Sequence, residues 1–202
     1  MAEKLSADIA LHVSRELDAR RRLRVLDPVI KVEIHSVLCH KADGMFRWVQ
    51  CSIDTLNRCV TLKELSRALN DLPEGLDETY ERILLAIDTE TRERQLALRA
   101  LIWLVAALRP LHIDELMEGL SIDLEKRTLD FSVGPMHREA LLDVCGSLVT
   151  YDEKTGIVIL SHFSVKEYLM SEFVRAKLPQ YHIDWERAHL QLARSCMCYM
   201  SV

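Results

Sequence analysis

The sequence predicts a mainly α chain: a helical bundle followed by a winged helix (three helices plus a two-stranded β-hairpin) and C-terminal helices. Three observations predict it. Apolar residues recur at three- and four-residue spacing along most of the 202 residues, which is the period of one helical face. That period breaks at Leu148–Tyr151 and Ile157–Leu160, two short runs rich in β-branched residues. Asp152-Glu153-Lys154-Thr155-Gly156 joins them, and a turn-forming linker between two such runs reads as a hairpin.

The elements follow in order. Ile9, Val13 and Leu17 mark one face of a first helix. Asp27-Pro28 reads as an N-cap followed by proline at the first helical position. Ile30, Ile34 and Leu38 form the stripe of that second helix, which ends before Gly44. A third runs from Met45 to Cys59 with Phe46, Val49, Ile53 and Leu56 inward. Thr61 and Glu64 have the spacing of a capping box and start a short helix through Leu69. Leu72-Pro73-Glu74-Gly75 is a break, after which Asp77 is expected to cap a helix over Glu78–Ile87, with Tyr80, Ile83, Leu84 and Ile87 inward. Residues 1–88 form the bundle.

Arg92–Leu108 is a long helix whose end, Leu101-Ile102-Trp103-Leu104-Val105, is apolar nearly all round, the pattern of a buried helix. Arg109-Pro110 stops it. Ile113–Leu120 is a short helix, Ser121–Pro135 is expected as loop, and His137–Cys145 is a third helix ended by Gly146. The hairpin follows, then a helix over Ser164–Val174. Residues 89–178 are the winged helix. Trp185–Met200 is the helix of a following segment, residues 179–202.

Composition bounds the function. Hydrophobic residues make up 49% of the chain and its formal net charge is −5. That balance argues against broad electrostatic binding to nucleic acid or an anionic membrane, both of which need a basic surface. The longest apolar stretch, Leu101–Leu108, is too short to span a bilayer. Six cysteines stand at 39, 51, 59, 145, 196 and 198 with no Cys-x-x-Cys pair. Met1-Ala2-Glu3-Lys4 lacks the apolar core of a secretory signal, so the expectation is a cytoplasmic chain with free thiols.

Catalytic and metal motifs are missing. No Gly-x-x-x-x-Gly-Lys-Ser/Thr loop is present to cradle phosphates, and no Gly-x-Ser-x-Gly elbow to carry a nucleophile. Cys39-His40 and Cys196-x-Cys198 are too isolated for a structural metal site. Asp114-Glu115 falls at a helix start, where acids complement the dipole, and Asp152-Glu153 at a hairpin tip. The expectation is no catalytic residue, no metal ligand and no enzyme. The alternative function is a DNA-binding winged helix, which needs a basic recognition helix and wing. His137–Cys145 offers Arg138 against Glu139 and Asp143, and the wing offers Lys154 against Asp152 and Glu153. Only fold analogy supports that reading.

Three motifs carry a family resemblance: Lys41-Ala42-Asp43-Gly44-Met45-Phe46-Arg47-Trp48-Val49, then Leu69-Asn70-Asp71-Leu72-Pro73-Glu74-Gly75-Leu76-Asp77-Glu78-Thr79-Tyr80-Glu81-Arg82-Ile83, then Leu160-Ser161-His162-Phe163-Ser164-Val165-Lys166-Glu167-Tyr168-Leu169. The first two resemble the region just after the nucleotide-binding core of fungal NACHT proteins, which are NLR-like, STAND-type signalling ATPases. The third resembles the end of their winged helix, a domain also similar to that of GPI inositol-deacylase-like proteins. The resemblance implies the helical lid and winged helix of a nucleotide switch. The ATP- or ADP-binding P-loop core and the C-terminal ankyrin or other repeats would then belong to an intact parent protein. It also implies a regulatory role in signal transduction and, for the detached piece, self-association.

Within this resemblance His162 stands where animal NLR-type proteins place a histidine against the β-phosphate of ADP. An imidazole N–H can donate to a phosphate oxygen and can gain charge beside it. The competing reading makes His162 a structural histidine, with Ser164 capping the next helix and Glu167 completing a capping box. Many relatives carry Gly-Leu-Pro where this chain has Gly44-Met45-Phe46, so Phe46, Trp48 and Val49 read as core and not as an adenine contact.

Overall fold

A computed structural model describes residues 2–87 and 91–201. The chain divides into two units, Met1–Thr79 and Tyr80–Val202. The domain boundary expected between residues 88 and 89 lies outside the described residues.

The first unit is helical. It comprises α1 (Ala2–Ala19), α2 (Pro28–Lys41), α3 (Phe46–Arg58) and α4 (Leu62–Asn70), and the boundary falls within α5 (Leu76–Ile87). Two caps are those that the sequence specifies. The Asp27 carboxylate accepts the Val29 N–H at 2.8 Å, with Pro28 at the first helical position. Thr61 Oγ1 accepts the Glu64 N–H, and the Glu64 carboxylate accepts the Thr61 N–H, each at 3.2 Å. Asp77 differs from expectation. α5 starts at Leu76, so Asp77 lies in the first turn, and the Glu78 carboxylate reaches back to the Glu74 N–H at 3.0 Å. Glu78 thus satisfies an orphan donor ahead of the helix.

Ile9, Val13, Leu17, Ile34, Leu38, Trp48, Val49, Ile53 and Leu56 fill the core of this unit. Each such side chain contributes about 1.5–3 kcal/mol by leaving water. The Trp48 indole N–H donates to the Pro73 carbonyl at 2.9 Å, as a buried indole requires. Trp48 and Val49 are core, as the sequence suggests, whereas Phe46 is partly exposed and lies 5.6 Å from the His12 ring.

The second unit runs α6 (Thr91–Ala106), β1 (Leu111–His112), α7 (Ile113–Leu120), β2 (Ile122–Asp123), β3 (Thr128–Leu129), α8 (Arg138–Cys145), β4 (Val149–Asp152) and β5 (Ile157–Leu160). α9 (Phe163–Leu169), α10 (Glu172–Lys177) and α11 (Trp185–Met200) follow. β1, β5 and β4 form an antiparallel sheet in that order, with both Leu111 and Tyr151 opposite Val158. Leu104, Leu111, Ile113, Leu116, Leu120, Leu141, Cys145 and Val158 make its core against α6, α7 and α8. This is a winged-helix arrangement.

Three details depart from the sequence reading. β1 pairs through only two residues, too few for a periodicity to register. The expected loop Ser121–Pro135 contains the β2–β3 ladder, whose turn is closed by the Asp123 carboxylate accepting the Glu125 and Lys126 N–H groups at 3.0 Å. The helix expected over Ser164–Val174 is two, α9 and α10. The break comes at Ser171, whose hydroxyl accepts the Val174 N–H and so begins a new helix. No described helix is long and apolar enough to cross a membrane.

Candidate functional site

The end of β5 is fixed before His162 begins. The Ser161 N–H donates to the Leu148 carbonyl at 3.0 Å and its hydroxyl to the Ser147 carbonyl at 2.8 Å. His162 then adopts an extended backbone and becomes the N-cap of α9. Its Nδ1 accepts the Ser164 N–H at 3.2 Å and lies 2.7 Å from Ser164 Oγ. The capping expectation is therefore corrected. Ser164 is not the cap, because the His162 ring nitrogen already occupies the position from which a cap accepts.

The network also assigns the ring's tautomer. An Nδ1 that accepts an N–H carries no proton, so in the neutral ring Nε2 carries it. The Ser164 hydroxyl then donates to Nδ1. Its oxygen lies 2.8 Å from Tyr80 Oη, so Tyr80 is the donor of that pair. Tyr80 is fully buried, with its ring 5.3 Å from that of Tyr168. His162 is exposed, and Nε2–H is its remaining donor.

His162 lies on a cleft of about 320 Å³ with Leu108, Arg109, Ile159, Phe163 and Lys166 among its walls. The other two basic groups are engaged. Arg109 donates to both Glu115 carboxylate oxygens, at 2.9 and 2.6 Å. These bonds, with the His112 N–H, hold the Glu115 carboxyl down at about 2. Lys166 Nζ donates to the Val105 carbonyl at 3.0 Å and sits 4.1 Å above the Trp185 ring. Among the described residues of the cleft, His162 Nε2–H is thus the basic-residue donor without a partner. The backbone amides of the helix start add less than its position suggests, since the Ser164 N–H is spent on the cap.

A hydroxyl 2.7 Å from an imidazole is also the first element of a nucleophilic pair, but this geometry does not complete one. No carboxylate orients Nε2 among the described residues, Ser164 Oγ is shared with Tyr80, and its N–H cannot serve an oxyanion. Among the described residues no group of three His, Cys, Asp or Glu side chains is placed to share a metal. Asp114 and Glu115 lie in the first turn of α7, where Glu115 also accepts the His112 N–H at 2.8 Å. At the hairpin tip Asp152 accepts the Lys154 N–H at 2.9 Å and the Thr155 hydroxyl at 2.8 Å.

The nucleic-acid reading finds little support in the same unit. On α8, Arg138 pairs with Glu139 at 2.8 Å and with the Tyr151 hydroxyl at 3.2 Å. Tyr80 is the member of this hydrogen-bond network that the sequence did not point to. It was legible only as an inward-facing helix position, although a buried tyrosine hydroxyl usually finds a polar partner.

Residues 80–179 match the family described as GPI inositol-deacylase, winged helix domain. The chain is also 34% identical over 145 residues to "Azaphilone pigments biosynthesis cluster protein L" of Monascus ruber. That match covers 68% of this chain and 30% of the relative, so the chain spans under a third of the relative's length. No solved structure matches. The chain thus contains, over residues 80–179, a winged-helix domain of the GPI inositol-deacylase type.

Proposed function

We propose that the chain is a non-catalytic regulatory module of a NACHT-type nucleotide switch, closing over a P-loop core that binds ADP or ATP. The observation that carries this reading is the state of His162. Its Nδ1 is taken by Ser164, which leaves Nε2–H as the donor of an exposed imidazole lining a cleft whose other cations are engaged. A single oriented donor suits one phosphate oxygen of a nucleotide held elsewhere. It does not suit a complete phosphate site, which must come from the core. The winged-helix match and the order of the three sequence motifs support the same reading.

In this role the chain performs no chemistry. Its partners are the nucleotide-binding core and repeat domains of a parent protein, and copies of itself when those partners are missing. The test is association in trans. The chain and a separately produced P-loop core from a fungal NACHT protein are mixed and sedimented with ADP or with a non-hydrolysable ATP analogue. A complex with ADP that is weakened by the ATP analogue is expected. No complex, or equal association with both, would overturn the reading.

A further inference from the structure

The first unit carries a groove for which the nucleotide reading has no use. It lies between residues 21–26, after α1, and residues 56–65, at the junction of α3 and α4, and encloses about 630 Å³. Its floor is apolar, with Leu23, Leu56 and Leu65 buried. Its rim keeps large apolar side chains in water: Val25 and Val60 are each 76% exposed and Leu62 is 59% exposed. Single exposed apolar residues are ordinary, but several around one concavity form a patch of the kind that receives partners.

Charge narrows the partner. Arg21, Arg22 and Arg24 line the groove, and among the described residues no carboxylate does. The nearby Glu64 carboxylate is turned onto the Val60 and Thr61 N–H groups. Four arginines fall within residues 20–24 of a chain whose net charge is −5. Arg20 is used within the fold, pairing with Glu16 at 2.8 Å and Asp54 at 3.0 Å. Arg22 donates to the Arg58 carbonyl at 2.6 Å. The Arg21 and Arg24 guanidinium groups make no hydrogen bond or ion pair among the described residues. Unpaired like charges beside exposed apolar surface give the groove a positive rim, which selects a partner of opposite sign.

We propose that this groove docks an acidic, amphipathic helical segment of a partner protein. Apolar side chains at helical spacing fill the concavity, as in other helix-in-groove complexes. Carboxylates on the flank of the same helix pair with Arg21 and Arg24, whose planar forks suit bidentate contact. The concave shape favours a peptide over an anionic bilayer, which receives projecting side chains and offers none to fill a groove.

The test uses the full chain and a fluorescein-labelled synthetic helix with Leu at i, i+3, i+4 and i+7 and Glu on its flanks, read by anisotropy. A Lys-for-Glu version and mixed phosphatidylserine/phosphatidylcholine vesicles are the other arms. The Glu helix is expected to bind, the Lys helix to bind at least about tenfold more weakly, and added salt to weaken the complex. Arg21→Glu/Arg24→Glu is expected to cost about tenfold in affinity, a difference of about 1.4 kcal/mol. Val60→Asp/Leu62→Asp is expected to remove binding with an unchanged circular dichroism spectrum, since both positions are exposed. Failure of the Glu helix to bind, equal binding of both helices, indifference to the double arginine substitution, or capture by vesicles alone would overturn the proposal.

Discussion

The Ser164 hydroxyl lies 2.7 Å from His162 Nδ1, two residues before it in the chain. That contact gives one imidazole two separate functions. Nδ1 is a structural acceptor that begins α9, and Nε2–H is an outward donor. Because the functions sit on different nitrogens, substitutions can separate them. His162→Ala removes the cap and should lower stability by about 1 kcal/mol, within the usual range of about 0.5–2 for losing an N-cap. His162→Asp restores a good cap and should recover most of that loss. Urea unfolding of the three proteins at neutral pH checks this, and equal losses in both variants would mean that the cap contributes nothing.

A second expectation concerns the hairpin turn. Gly156 has φ +69°, and a Cβ there would collide with the His112 imidazole. Its carbonyl also accepts the Ile113 N–H at 2.8 Å, tying the turn to the start of α7. Gly156→Ala should cost about 1–2 kcal/mol from the left-handed backbone alone, with more for displacing the ring. Gly75→Ala is the control, since nothing lies within 4 Å of a Cβ there. Thermal melts should show a clearly larger drop in midpoint for the first variant than for the second, where Gly75 precedes α5 and only a cap preference is lost.

The Arg109–Glu115 pair makes stability depend on acid. Glu115 is held at about 2 against an ordinary 4.5, chiefly by the Arg109 hydrogen bonds and then by the His112 N–H. A depressed carboxylate contributes its stability above the unfolded value and loses it as pH falls towards the folded one. The contribution of Glu115 is thus full above about pH 4.5 and gone near pH 2. The pair is largely in solvent, so the effect is small. Glu115→Gln should lower the urea midpoint slightly at pH 7 and not at pH 2. A gap that stays constant with pH would contradict this.

Thiol reactivity should divide by burial. Desolvation pushes the buried Cys145 thiol up to about 12, so it carries almost no thiolate at neutral pH. Cys196 is exposed on α11. Iodoacetamide labelling read by mass spectrometry should modify Cys196 in the folded chain and Cys145 only after denaturation.

Much of this architecture was legible because the signals were long or chemically sharp. α7 and α11 begin and end at the expected residues, and the Thr61–Glu64 box and the Asp27–Pro28 start are present as read. β1 and the β2–β3 ladder escaped because two-residue strands have no period, and their pairing is set by distant or turn-forming partners. The split between α9 and α10 turns on whether the Ser171 hydroxyl caps or merely sits within a helix, which spacing alone does not decide. His162 was legible as a candidate, but its state was not. The tautomer depends on Ser164 and on Tyr80, which stands 84 residues before Ser164 in the chain. The competing expectation of a Ser164–Glu167 capping box failed for the same reason, since the ring nitrogen had already taken the cap.

The most direct measurement is calorimetric titration of ADP into the chain alone, and into the chain with a fungal NACHT P-loop core, for wild type and His162→Asp. The expected result is no binding by the chain alone and tighter ADP binding by the core when the wild-type chain is present. That gain should be lost in His162→Asp, which keeps a capping side chain but whose carboxylate repels phosphate. Tight ADP binding by the isolated chain, or a gain that survives His162→Asp, would contradict this.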